Sequence, residues 1–213
     1  MNTGHLIPER SDGMKMNLPN KLTMLRVVLV PFFVIFLMNE PGNPAFKWVA
    51  LAIFAIASLT DMLDGMLARK LGLITNFGKF ADPLADKMLV CSALICLSVL
   101  GWVPVWMTLI VIIREFIISG FRLVAAEQGK VIAASWWGKW KTAVTMIAII
   151  IQLLALNPMG FPGGYSDTDP ASVSGIYSGV CVFALVLFYI ATALTVISLI
   201  DYIAKNKEVL SDV

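Results

Sequence analysis

Four aspartates carry the chemistry in this sequence. Asp61 and Asp64 stand three residues apart, and Asp82 and Asp86 stand four apart. On helices, each spacing puts both carboxylates on one face. Both pairs lie at the ends of apolar segments, where charge is costly unless it does something. The segments are consecutive, so their helices run antiparallel and the two pairs can meet at one depth. Four converging carboxylates repel unless a cation joins them. All-oxygen ligands suit a hard divalent ion, Mg²⁺ or Mn²⁺. Carboxylates so placed could also line an ion pathway or form a salt-bridged interface.

The residues between the pairs add to this pattern. Gly65 and Ala68 are small enough to let a ligand or another helix approach the backbone. Arg69 follows, where a guanidinium can grip a phosphate with a forked pair of hydrogen bonds. Gly78 opens the connection to the second pair.

The elements that position these residues are membrane spans. Of the 213 residues, 59% are apolar and 14% charged, with a mean hydropathy of +0.84. Soluble domains carry about a quarter charged residues. This composition excludes a secreted disulfide scaffold, a nucleic-acid-binding domain and a disordered chain. A span needs about 20 residues to cross a hydrocarbon core of about 30 Å. Six apolar segments are read: 22–38, 46–68, 82–100, 104–124, 139–156 and 175–203. The third and fourth are divided at Gly101-Trp102-Val103-Pro104, a turn signal inside one long uncharged run.

The fold class is therefore an all-α integral membrane protein with six transmembrane helices, forming one domain over 1–213. Of the 16 Lys and Arg, all but Lys47 fall on the side of the N-terminus. The positive-inside rule then puts both termini in the cytoplasm. Residues 1–14 are expected to be a mobile tail, and Lys15 to Lys21 a short surface helix or elbow. Residues 1–21 lack an apolar signal-peptide core, so the first span is expected to be an uncleaved anchor. Cys91, Cys96 and Cys181 lie in apolar runs without a CxxC pair and read as packing residues. The six Trp, at 48, 102, 106, 136, 137 and 140, read as interfacial belt residues. The 157–174 loop shows no chemistry.

The array Asp-x2-Asp-Gly-x2-Ala-Arg-x8-Gly-x3-Asp-x3-Asp resembles the signature of the CDP-alcohol phosphotransferase family at all eight fixed positions, Asp61 to Asp86. Other segments are similar to members that use glycerol 3-phosphate as acceptor: Asn17-Leu-Pro-Asn20 with Thr23, Arg26 and Pro31, then Phe80 to Lys87, and Arg114-Glu115-Phe116 with Arg122. Ser135-x2-Gly138-Lys139-x-Lys141-Thr142 completes that likeness.

The resemblance implies a membrane enzyme that moves a phosphatidyl group from CDP-diacylglycerol to glycerol 3-phosphate and releases CMP. It implies Asp61, Asp64 and Asp82 as metal ligands with Asp86 beside them, and Asp86 as general base. It implies a CDP site at Asn20, Thr23, Asp61, Gly65, Ala68, Arg69 and Gly78, and a homodimer. A dianionic acceptor needs a basic pocket, for which Arg26, Arg114, Arg122, Lys139 and Lys141 are the candidates. Each can equally be a positive-inside charge or a snorkelling side chain. Arg114 with Glu115 can equally be a structural salt bridge. Two alternatives remain: the same chemistry with another acceptor (phosphatidylglycerol, inositol phosphate or serine), and a small cation transporter using the Asp cluster.

Overall fold

A computed structural model of the chain describes the backbone of residues 18–39, 43, 45–71, 76–127, 135–154 and 175–206. Side chains are described there except at 18–20, 61–83, 86, 126–127 and 175–178. The described residues form six helices: α1 (Leu18–Met38), α2 (Ala45–Leu71), α3 (Asn76–Val99), α4 (Val105–Glu127), α5 (Trp136–Leu154) and α6 (Gly175–Lys205).

Each of the six expected segments holds one helix, and most helices extend past their apolar runs at one end or both. α3 begins at Asn76 rather than at Asp82, because polar residues continue a helix beyond the part that is apolar. Residues 18–21 are the first turn of α1 and not a separate surface helix. Residues 15–17, the 1–14 tail and the 157–174 loop lie outside the described residues.

Local chemistry explains the helix ends. α3 closes at Gly101, whose φ of 76° is the left-handed conformation that glycine adopts without strain. Trp102 N donates to Leu97 O at 2.8 Å and Gly101 N to Ser98 O at 3.1 Å. Those two bonds form a Schellman cap. Pro104 follows, and its carbonyl accepts from Met107 N at 3.0 Å as α4 starts. At α5, Ser135 is the N-cap: its Oγ accepts from Gly138 N at 3.1 Å.

The helices pack with α1 against α2 and α3, α2 against α5, and α6 against α4 and α5. Phe33, Leu37, Phe54, Leu89, Leu94, Leu97, Met107, Ile149 and Leu153 fill the core. The Phe33 and Phe54 rings lie 5.7 Å apart.

The outside of the bundle is apolar too. Phe32, Ile56, Ile95, Ile147 and Ile200 are all exposed, and Phe116 is 73% exposed. Arg26, Lys47, Arg114, Lys141 and Gln152 are buried instead. An apolar exterior around interior charges suits lipid as the solvent and not water. Within α1 and α6, Lys21–Met38 and Gly179–Lys205 are long and apolar enough to cross a bilayer. In α4 and α5, Arg114, Glu115, Arg122, Lys139 and Lys141 interrupt the apolar stretch.

One expectation is corrected here. Trp102 is no belt residue: it is 4% exposed and lies under Lys47, whose Nζ is 4.6 Å from the ring centroid. The other five Trp are exposed, as belt residues would be.

Candidate active site

The aspartate array sits on two helices that follow one another. Asp61, Asp64, Gly65, Ala68 and Arg69 belong to α2, and Gly78, Asp82 and Asp86 to α3. The backbone is helical through both pairs, so each pair shares a helix face, as the spacing requires. α2 and α3 pack against each other. The side chains of these eight residues lie outside the described residues, as does that of Asn20.

A buried polar group from α1 approaches the array. Arg26 is fully buried and its Nε donates to Ala57 O at 3.3 Å. Ala57 is one turn before Asp61 on α2. Thr23, one turn before Arg26, is also fully buried. The inner face of α1 therefore brings a guanidinium to the turn of α2 that precedes the array.

A second polar cluster joins α4, α5 and α6. Arg114 on α4 is 7% exposed and Lys141 on α5 is 3% exposed. Glu115 lies between them: Arg114 Nη1 donates to its Oε1 at 3.0 Å, and Lys141 Nζ donates to the same oxygen. On α6, Ser198 Oγ accepts from Arg114 Nη2 at 2.6 Å. Arg114 Nε is buried and has no hydrogen-bond partner among the described residues.

Two cations share one carboxylate, so with Lys141 protonated the cluster holds one net positive charge beside an unused guanidinium donor. That arrangement suits an anion. A forked guanidinium matches the oxygens of a phosphate or carboxylate.

The array helix α3 is tied to α4, the helix that carries Arg114 and Glu115. Lys87, next to Asp86, donates through Nζ to Ser119 Oγ on α4, and Ser119 Oγ donates to Glu115 O in turn. A polar chain therefore runs from α3 to the helix that carries Arg114.

Of the five basic candidates, the structure brings Arg114 and Lys141 together. Arg26 is tied to α2 instead, while Arg122 and Lys139 lie exposed on α4 and α5. Sequence reasoning missed Ser198 and Ser119. A single serine in an apolar helix gives no signal of its own; a partner across the bundle is what marks it.

The CDP-alcohol phosphatidyltransferase family pattern matches residues 16–205. The chain is also similar to three proteins named CDP-diacylglycerol–glycerol-3-phosphate 3-phosphatidyltransferase. The one from Bacillus subtilis strain 168 is 41% identical, over 91% of this chain and 97% of the relative. The one from Haemophilus influenzae is 41% identical, over 93% and 98%. The one from Escherichia coli K12 is 36% identical, over 93% and 100%. The chain belongs to the CDP-alcohol phosphatidyltransferase family, and it is a transferase.

Proposed function

We propose that this protein transfers the phosphatidyl group of CDP-diacylglycerol to glycerol 3-phosphate, forming phosphatidylglycerophosphate and CMP. The observation that carries this reading is the set of relatives, all named for that transfer and matched over nearly their whole length. The buried cationic cluster supports the acceptor. Glycerol 3-phosphate is a dianion, and Arg114 has a donor to spare beside Lys141.

In this reading the chain is a single domain of six membrane spans with both termini in the cytoplasm, acting as a homodimer. The donor's acyl tails stay in lipid while its cytidine and pyrophosphate reach the cytoplasmic end of α2 and α3. Asn20, Thr23, Asp61, Gly65, Ala68, Arg69 and Gly78 hold the CDP portion. Arg114 and Lys141, with Arg122, Lys139 and Arg26, draw in the acceptor's phosphate.

The helical continuity of α2 and α3 through both pairs fits a divalent ion, Mg²⁺ or Mn²⁺, on Asp61, Asp64, Asp82 and Asp86. Such an ion supplies charge neutralisation on the pyrophosphate. The acceptor hydroxyl attacks the β-phosphorus in line, Asp86 takes its proton, and the bridging P–O bond breaks so that CMP leaves with the electron pair.

The test follows CMP formation by purified full-length protein in liposomes containing CDP-diacylglycerol, with glycerol 3-phosphate and Mg²⁺. Chelating the metal, and separately Asp86→Asn, should each lower the rate by about 100-fold or more. A rate unchanged by both would contradict the assignment of the array.

A further inference from the structure

The Arg114 guanidinium is held on two sides by residues with no role in the scheme above. On α6, Ser198 is fully buried and accepts from Nη2 at 2.6 Å. Its neighbours on the same helix behave differently. Thr192 and Thr195 donate their hydroxyls to the carbonyls of Phe188 and Ala191, one turn back. Those hydroxyls are satisfied within α6, whereas Ser198 serves another helix.

On α5, Gly138 faces the same nitrogen. A Cβ built on Gly138 would stand 3.2 Å from Arg114 Nη2, 3.4 Å from Ser135 Oγ and 3.7 Å from Ser198 Oγ. Glycine inside a helix is weaker than alanine, so its presence in the first turn of α5 needs a reason. Here the reason is space. A side chain there would press on the guanidinium, which Glu115 and Ser198 hold, and would shift it by a few tenths of an ångström.

We propose that Gly138 and Ser198 are positioning residues, which fix the Arg114 guanidinium so that it meets the acceptor's phosphate. This inference rests on the proposed function. Glu115 takes Nη1, Ser198 takes Nη2, and Gly138 sets how closely α5 approaches Nη2. The buried Nε remains for the ligand. A displaced guanidinium would weaken the grip on the acceptor and leave the CDP site on α2 and α3 untouched.

The experiment uses full-length protein in liposomes and varies glycerol 3-phosphate and CDP-diacylglycerol in turn. Gly138→Ala should raise KM for glycerol 3-phosphate about 5-fold, change KM for CDP-diacylglycerol less than about 2-fold, and lower kcat less than it raises the first KM. The thermal midpoint should change little, because alanine's better helix propensity offsets part of what the shifted guanidinium loses. Ser198→Ala should move the same KM in the same direction.

In an Arg114→Lys background, Gly138→Ala should add little, because the group it displaces is gone. An active wild type whose acceptor KM is unmoved by Gly138→Ala, or an effect that persists in full beside Arg114→Lys, would overturn this inference alone. A wild type that forms no CMP with glycerol 3-phosphate would instead overturn the function on which it rests.

Discussion

Lys141 and Lys47 are both buried lysines of one helical bundle, and they are held by different means. Lys141 shares the Glu115 carboxylate with Arg114, in a cluster that includes Ser198. Lys47 lies over the face of Trp102, at the turn between α3 and α4. An aromatic face attracts a cation through its negative π surface and carries no formal counter-charge. A carboxylate shared by two cations leaves positive charge over, and a ligand can use it. Burial of a cation is thus no sign of function by itself. What surrounds the cation decides.

The sharpest way to break this contrast is Glu115→Gln. It removes the shared counter-charge and leaves Arg114 and Lys141 side by side. Breaking a buried ion pair from one side costs about 3–5 kcal/mol. Denaturation in detergent should show a loss of that order.

Next comes Arg114→Ala. Loss of a charge-assisted contact to a phosphate should lower kcat/KM for glycerol 3-phosphate about 30-fold, or about 2 kcal/mol. The KM for CDP-diacylglycerol should stay put, which steady-state CMP assays can read.

The smallest effect is expected at the other lysine. Lys47→Met keeps the packing volume and removes the cation over Trp102. It should leave CMP formation within about 2-fold of wild type, since the cation–π contact is worth only about 1 kcal/mol and touches no ligand. A large loss of turnover in Lys47→Met would erase the distinction between the two sites.

Much of this was legible in the sequence. The Asp61–Asp64 and Asp82–Asp86 spacings name helix faces without any structure, and α2 and α3 are helical through both. Gly101 and Pro104 marked the turn that the Schellman cap now explains. Arg114, Glu115 and Lys141 were visible as charges in apolar segments.

Their pairing was not legible. It depends on how α4, α5 and α6 face each other, and no local pattern encodes that. Ser198 stands 84 residues from Arg114 along the chain. Trp102 failed for the same reason: beside a turn it reads as an interfacial residue, until Lys47 from another helix is found above it. Helix ends were misjudged where helices outran their apolar runs, since hydropathy marks the greasy part of a helix and not its hydrogen bonds.

The most direct test of the central claim is an acceptor panel. Purified protein in liposomes with CDP-diacylglycerol and Mg²⁺ would be offered glycerol 3-phosphate, phosphatidylglycerol, inositol phosphate and serine in turn, with CMP measured and the lipid product identified by mass. CMP and phosphatidylglycerophosphate formed with glycerol 3-phosphate, and little product with the others, is the predicted result. Preferred turnover of an uncharged or zwitterionic alcohol such as serine would contradict it, because the Arg114–Lys141 cluster would then have no anion to receive.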